Sequence, residues 1–91
     1  MEFEWDDEKA ELNSKKHGIK FTDAVMAFDD DLAIPYADPE HSSIGESRYA
    51  LLGMCPAGLV FVSFTIRDDK YRIISARKAS RKMQRTYAET D

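Results

Sequence analysis

The chain has 91 residues, 43% of them hydrophobic, and a formal charge of -4 at pH 7, enough for one small domain with a single core and too little for a second. Its most apolar stretch, residues 59–64 with Ser63 its one polar member, is about a third of a bilayer span, and its one cysteine, Cys55, has no partner for an internal disulfide. No N-terminal segment joins a basic stretch to an apolar one, so the expectation is a cytoplasmic protein without membrane contact.

In chain order, Phe3-Glu4-Trp5 alternates like a short strand, and Asp6 then offers an N-cap to a helix whose first turn holds Asp7 and Glu8. That helix should end at Lys15-Lys16-His17, cations suited to the negative end of its dipole, with Gly18 as the C′ residue. Thr22 can cap a second helix over 23–28, in which Ala24, Val25 and Phe28 share one face. Residues 32–37 form a short edge strand, because Pro35 cannot donate to a ladder, and 38–45 form a loop. Strands follow at 47–54, 59–67 and 71–76, joined by turns at 55–58 and 67–70. A last helix spans 80–89.

Register decides which side chains share a surface. Val60, Val62, Phe64 and Ile66 make the apolar face of one strand, with Ser63, Thr65 and Arg67 on the other. A turn at 55–58 that puts Leu51 opposite Val62 also puts Arg48 opposite Thr65 and Glu46 opposite Arg67, whereas a one-residue slip would turn Arg48 into the core. At 67–70 the same reasoning sets Phe64 against Ile73 and Thr65 against Arg72. A row Arg48, Thr65, Arg72 should therefore cross three strands on the face away from the core.

Charge along the chain is polarised: 13 of the 17 acids lie in residues 1–46, and 8 of the 13 lysines and arginines lie in residues 67–91. A basic half in an acidic chain points to an anionic ligand, and arginine presents a rigid donor fork that matches phosphate oxygens. The competing explanation is a solvated face of cross-strand ion pairs worth ~0.2–1 kcal/mol each.

Together, Phe3-Glu4-Trp5-Asp6, Asn13 with Lys16-His17-Gly18, Phe21 with Ala24, Phe28-Asp29-Asp30, Gly45-Glu46 followed by Arg48, Gly53, and residues 72–77 (RIISAR) resemble the BrnT family of bacterial type II toxins, over nearly the whole chain. The resemblance implies one RelE-like α+β domain over residues 1–91, an antiparallel sheet with two N-terminal helices packed on one face and a C-terminal helix. It also implies ribonuclease activity, growth arrest, and neutralisation by a BrnA-like antitoxin that carries its own DNA-binding domain, so that DNA is met only through that partner.

Metal-independent RNA cleavage by the 2′-hydroxyl needs proton transfer and charge stabilisation at phosphorus. For those roles the candidates are Arg48 and Arg72 as phosphate clamp, with Arg67 and Arg77 in support, and Glu46, Lys16 or His17 as proton carriers. Ser75, Lys78 and Arg81 extend the RNA-binding surface. Lys16 and His17 also have an explanation as helix-end cations, for which a favourable dipole contact suffices, and Ser75 as a small strand residue. Two positions depart from the family pattern: Asp31 stands where Pro is usual, and Met83 where Glu is usual. With Ser80, a Glu at 83 would complete a capping box, so Met83 should keep the N-cap and lose its reciprocal half. The departures leave a second reading open, a non-enzymatic relative that binds protein or nucleic acid. His17, His41 and Cys55 lack paired metal-ligand spacing, and no glycine-rich phosphate loop is present, so no cofactor or metal is expected.

Overall fold

The computed structural model describes residues 2–90. Its elements are β1 (Glu2–Glu4), α1 (Asp7–His17), α2 (Phe21–Ala24) tightening into a 3₁₀ turn at Val25–Asp29, β2 (Ile34–Ser43), β3 (Glu46–Cys55), β4 (Gly58–Arg67), β5 (Lys70–Lys78) and α3 (Arg81–Ala88). The five strands form one sheet in the order β1-β5-β4-β3-β2. Hairpins make β2 to β5 antiparallel neighbours, but β1 pairs in parallel with β5, Glu4 opposite Arg72. The sheet is therefore mixed rather than purely antiparallel. β1 arrives at β5 from the far end of the chain, so no tight turn dictates its direction.

Both hairpin registers follow the apolar pattern: Leu51 faces Val62, Arg48 faces Thr65, Phe64 faces Ile73 and Thr65 faces Arg72. Cys55 pairs with Gly58 across a two-residue turn. Asp68 and Asp69 both take positive φ, 52° and 61°, the left-handed pair that matches strand twist in a two-residue hairpin turn. A bulge in β5 brings Ile73 opposite Phe64 but Ser75 opposite Ser63, so Ile73 and Ala76, three residues apart, both reach the core.

The core joins Ile19, Phe21, Ala24 and Ala27 to Leu51, Val60, Val62, Phe64, Ile73 and Ala76. Phe28 bridges the two layers, its ring 5.0 Å from those of Phe3, Phe64 and Tyr71. Ile66, expected in this face, is 47% exposed, since it lies at the end of β4 beyond the covering layer. The second helix starts earlier than its polar residues suggest: Lys20 occupies the N-cap without a side-chain bond, and Thr22 is inside the helix. Phe21, Ala24 and Ala27 are buried at intervals of three, the spacing that a 3₁₀ turn stacks on one side. That turn approaches the sheet so closely that a Cβ on Gly53 would lie 2.9 Å from the Ala27 carbonyl oxygen.

α1 begins and ends as its sequence dictates. Asp6 accepts from the Glu8 and Lys9 amides, and Gly18 closes the helix at φ 71°. Its only buried residue is polar: Asn13 donates to the Ile19 and Ala76 carbonyls at 3.0 and 2.9 Å and accepts from the Ala76 amide at 3.0 Å. β1 covers β5 only at Lys70–Arg72, and further along that edge the Asn13 amide takes the place of a neighbouring strand.

Residues 38–45, expected as loop, largely continue β2, whose register shifts between Asp38 and Ser43. Across the shift the Ser42 hydroxyl donates to the Asp38 carbonyl and accepts from the Arg48 amide, both at 2.8 Å. A side chain thus carries the ladder past Pro39, which has no N–H.

Candidate functional site: the outer sheet face

Paired residues project to the same side of a sheet, so the observed registers define rows on the face opposite α1 and α2. One row runs through all five strands: Asp38, Arg48, Thr65, Arg72 and Glu4. Thr65 at its centre is 1% exposed, its hydroxyl donating to the Ser47 carbonyl at 2.6 Å, and it forms a floor between the two arginines. Arg72 Nη1 lies 2.8 Å from Glu4 Oε2, and Arg48 Nε lies 3.4 Å from Glu46 Oε1. Both arginine side chains are about a third exposed, at 30% and 33%.

Beyond this row Arg67 Nη2 contacts Glu46 Oε2 at 2.8 Å, and Lys70 faces Glu2 at 3.6 Å. Acids and bases therefore alternate over the face, and the carboxylates that balance the arginines come from β1 and β3. The Arg67 hydrogen bond, aided by the weaker one from Arg48, holds the Glu46 carboxyl below its ordinary range against a smaller opposing effect of desolvation. Glu46 is thus ionised and weakly basic, and Arg67 is correspondingly held in its charged form. Each guanidinium has five N–H donors and commits one nitrogen to a carboxylate, so donors remain for a phosphate.

The other candidates fall into two places. Lys16, His17 and Ser75 line one hollow with Lys9, Leu12, Asn13 and Ile74, where α1 meets the open edge of β5. None of the row arginines lines that hollow. Arg77, Lys78 and Arg81 follow one another at the end of β5 and the entrance of α3, all exposed. The Arg77 guanidinium lies over the Phe61 ring, 5.3 Å from its centroid. Among the described residues neither Arg77 nor Arg81 makes an ion pair.

α3 is capped by Ser80, whose hydroxyl accepts from the Met83 amide at 3.2 Å. Met83 and Tyr87, one turn apart, are its half-buried residues. Leu52 points to this outer face yet is 0% exposed, and α3, which contacts β3, helps to cover it. Sequence reasoning missed Asp30 as the docking point of this helix. One of its carboxylate oxygens accepts from the Tyr87 hydroxyl at 2.6 Å and the Met54 amide at 2.8 Å, the other from the Leu32 amide at 2.9 Å. Desolvation opposes ionisation here, but these three bonds outweigh it and hold the Asp30 carboxyl below its ordinary value, while the Tyr87 phenol is pushed up. Asp31, the other departure in this stretch, is exposed.

Fold and face together define a small α+β domain with paired arginines on the outer face of its sheet and, among the described residues, unpaired ones from the end of β5 to the entrance of α3. Residues 5–82 match the family described as the ribonuclease toxin BrnT of a type II toxin-antitoxin system, and the chain belongs to that family. Among curated proteins none matches it. No helix among the described residues is long and apolar enough to cross a membrane.

Proposed function

We propose that this chain is the ribonuclease of a toxin-antitoxin pair, on a RelE-like fold, and that it cuts RNA at the outer sheet face without a metal ion. Arg48 and Arg72 clamp the scissile phosphate, and Arg67, Arg77, Lys78 and Arg81 carry the flanking backbone. The 2′-oxygen bonds to phosphorus as its proton leaves, and the P–O5′ bond breaks as the 5′-oxygen gains a proton, giving a 2′,3′-cyclic phosphate and a 5′-hydroxyl. Glu46, ionised between two arginines, aims their guanidinium groups. Lys16 and His17, in the hollow with Ser75 that none of these arginines lines, hold RNA that crosses the open edge of β5, away from the scissile phosphate. A BrnA-like antitoxin silences the face by covering its cations, and any contact with DNA runs through that partner.

The observation that carries this reading is the alignment of Arg48, Thr65 and Arg72 in one row, which places two donor forks on either side of a hydroxyl-bearing floor. The pairing of both arginines with carboxylates favours a second reading, a module that binds RNA or an acidic partner without cleavage.

Inducible expression in a bacterial host, with total RNA followed alongside growth, separates the two. Wild type should arrest growth and degrade RNA, and the purified protein should cut RNA in excess chelator. Arg48→Ala with Arg72→Ala should lower cleavage by roughly 10²-fold or more with the fold intact. Equal cleavage by that variant would remove the reaction from this face, and folded wild type that binds RNA but leaves it whole would favour the binding module.

A further inference from the structure

From the next row along the outer face the chemistry changes from charged to aromatic. Tyr36 on β2 lies opposite Ala50, and the same row continues to Ser63 and Ser75. The next row holds Ile34, Leu52, Phe61 and Arg77. The Tyr36 and Phe61 rings meet diagonally, centroids 6.0 Å apart, and the Arg77 guanidinium lies over the Phe61 ring on its other flank. Tyr36 is 37% exposed on an edge strand, and Phe61 is half-buried. The result is a shelf of two rings and one planar cation beside the small side chains of Ala50, Ser63 and Ser75.

Two strand residues separate the Tyr36 row from the Arg48 row, about 7 Å along the sheet, comparable to the distance from a backbone phosphate to the base of its own nucleotide, and the Phe61–Arg77 row lies about 7 Å further on, within reach of the same or the next base. Unpaired bases stack on aromatic rings and on arginine planes, a contact that tolerates any base. Bases within a duplex have no such free face. Arg77 also adds positive charge that no described carboxylate offsets.

We propose that Tyr36, Phe61 and Arg77 form a base-stacking platform that restricts this face to single-stranded RNA, holding the base beside the phosphate gripped by Arg48 and Arg72. The proposal rests on the ribonuclease reading above and adds the substrate class.

The test is fluorescence anisotropy with a labelled single-stranded 2′-O-methyl RNA oligonucleotide, which cannot be cleaved by 2′-hydroxyl attack. The comparison strands are an abasic oligonucleotide of the same length and backbone, and the duplex of the first. Wild type should bind the base-bearing strand more tightly than the abasic strand or the duplex. Tyr36→Ala should weaken only the base-bearing strand, by roughly 5- to 150-fold, whereas Tyr36→Phe keeps the affinity. Arg77→Lys, which keeps the charge and loses the plane, should weaken it in the same selective way. Unchanged thermal melting shows that each variant is folded.

Equal affinity of wild type for base-bearing and abasic strands overturns the platform and leaves the phosphate clamp standing. Failure to bind any strand overturns the ribonuclease reading and the platform with it. If Tyr36→Ala leaves RNA affinity unchanged but weakens the cognate antitoxin, the shelf belongs to protein recognition and the proposal falls.

Discussion

Replacing Asn13 by alanine removes three hydrogen bonds at one buried point. Asn13 is 7% exposed and serves the Ala76 amide, the Ala76 carbonyl and the Ile19 carbonyl, so truncation leaves three backbone groups without their partner. A buried polar group left unsatisfied costs ~1–3 kcal/mol, and water reaching part of the gap will lower the sum, so a loss of about 3 kcal/mol is expected. A domain of this size holds ~5–14 kcal/mol in total, which makes that a large fraction. In urea, with a slope near 1.5 kcal/mol/M, the midpoint should fall by about 2 M at unchanged slope. Asn13→Asp should be no milder, because it turns the group that donates to two carbonyls into a charged acceptor. A loss below about 1 kcal/mol for Asn13→Ala, or a well-tolerated Asn13→Asp, would refute the idea that this amide seals the edge of β5.

Gly53→Ala brings a Cβ to 2.9 Å from the Ala27 carbonyl oxygen and 3.2 Å from the Ala27 and Ala33 side chains; overpacking of this kind costs ~1–3 kcal/mol. Calorimetry should therefore show a melting point lower by several degrees, and an unchanged one would mean that the 3₁₀ turn shifts freely. For Glu46, the folded carboxyl lies below its ordinary value of 4.5, first through the bond from Arg67. Its contribution to stability is then complete above that pH and lost as pH falls through the lower folded value. The gap in melting temperature between wild type and Glu46→Gln should narrow from pH 7 to pH 3, and a constant gap would contradict the ionic account.

What could be read from the sequence was whatever short-range chemistry decides. The boundaries of α1 come from Asp6 and Gly18, and the hairpin registers from the burial of Leu51, Val62, Phe64 and Ile73, which left Arg48, Thr65 and Arg72 no other row to occupy. Long-range choices were less legible. The direction of β1 depends on a partner at the other end of the chain, and nothing in Glu2-Phe3-Glu4 encodes it. Pro39 hid the continuation of β2, because the Ser42 hydroxyl that repairs the ladder is neutral in any strand propensity. For the 3₁₀ turn a signal existed in the spacing of Phe21, Ala24 and Ala27, and for Asn13 in its place on a helix with no apolar stripe. Where Lys16 and His17 would stand relative to the arginines needed the packing of α1 on β5, which is not a local property.

The alternation of acids and bases over the outer face means that Arg48, Arg67 and Arg72 carry covalently fixed counterions. A polyanion binding to bare cations gains from the release of mobile salt ions; here Glu4 and Glu46 already hold part of each guanidinium, so fewer mobile ions are released and the fixed carboxylates repel the newcomer. Indiscriminate capture of polyanions is thereby discouraged in a chain whose arginines are otherwise suited to it. A ligand succeeds by geometry, taking donors that the carboxylates leave free, and its affinity should change less steeply with ionic strength than the number of arginines suggests.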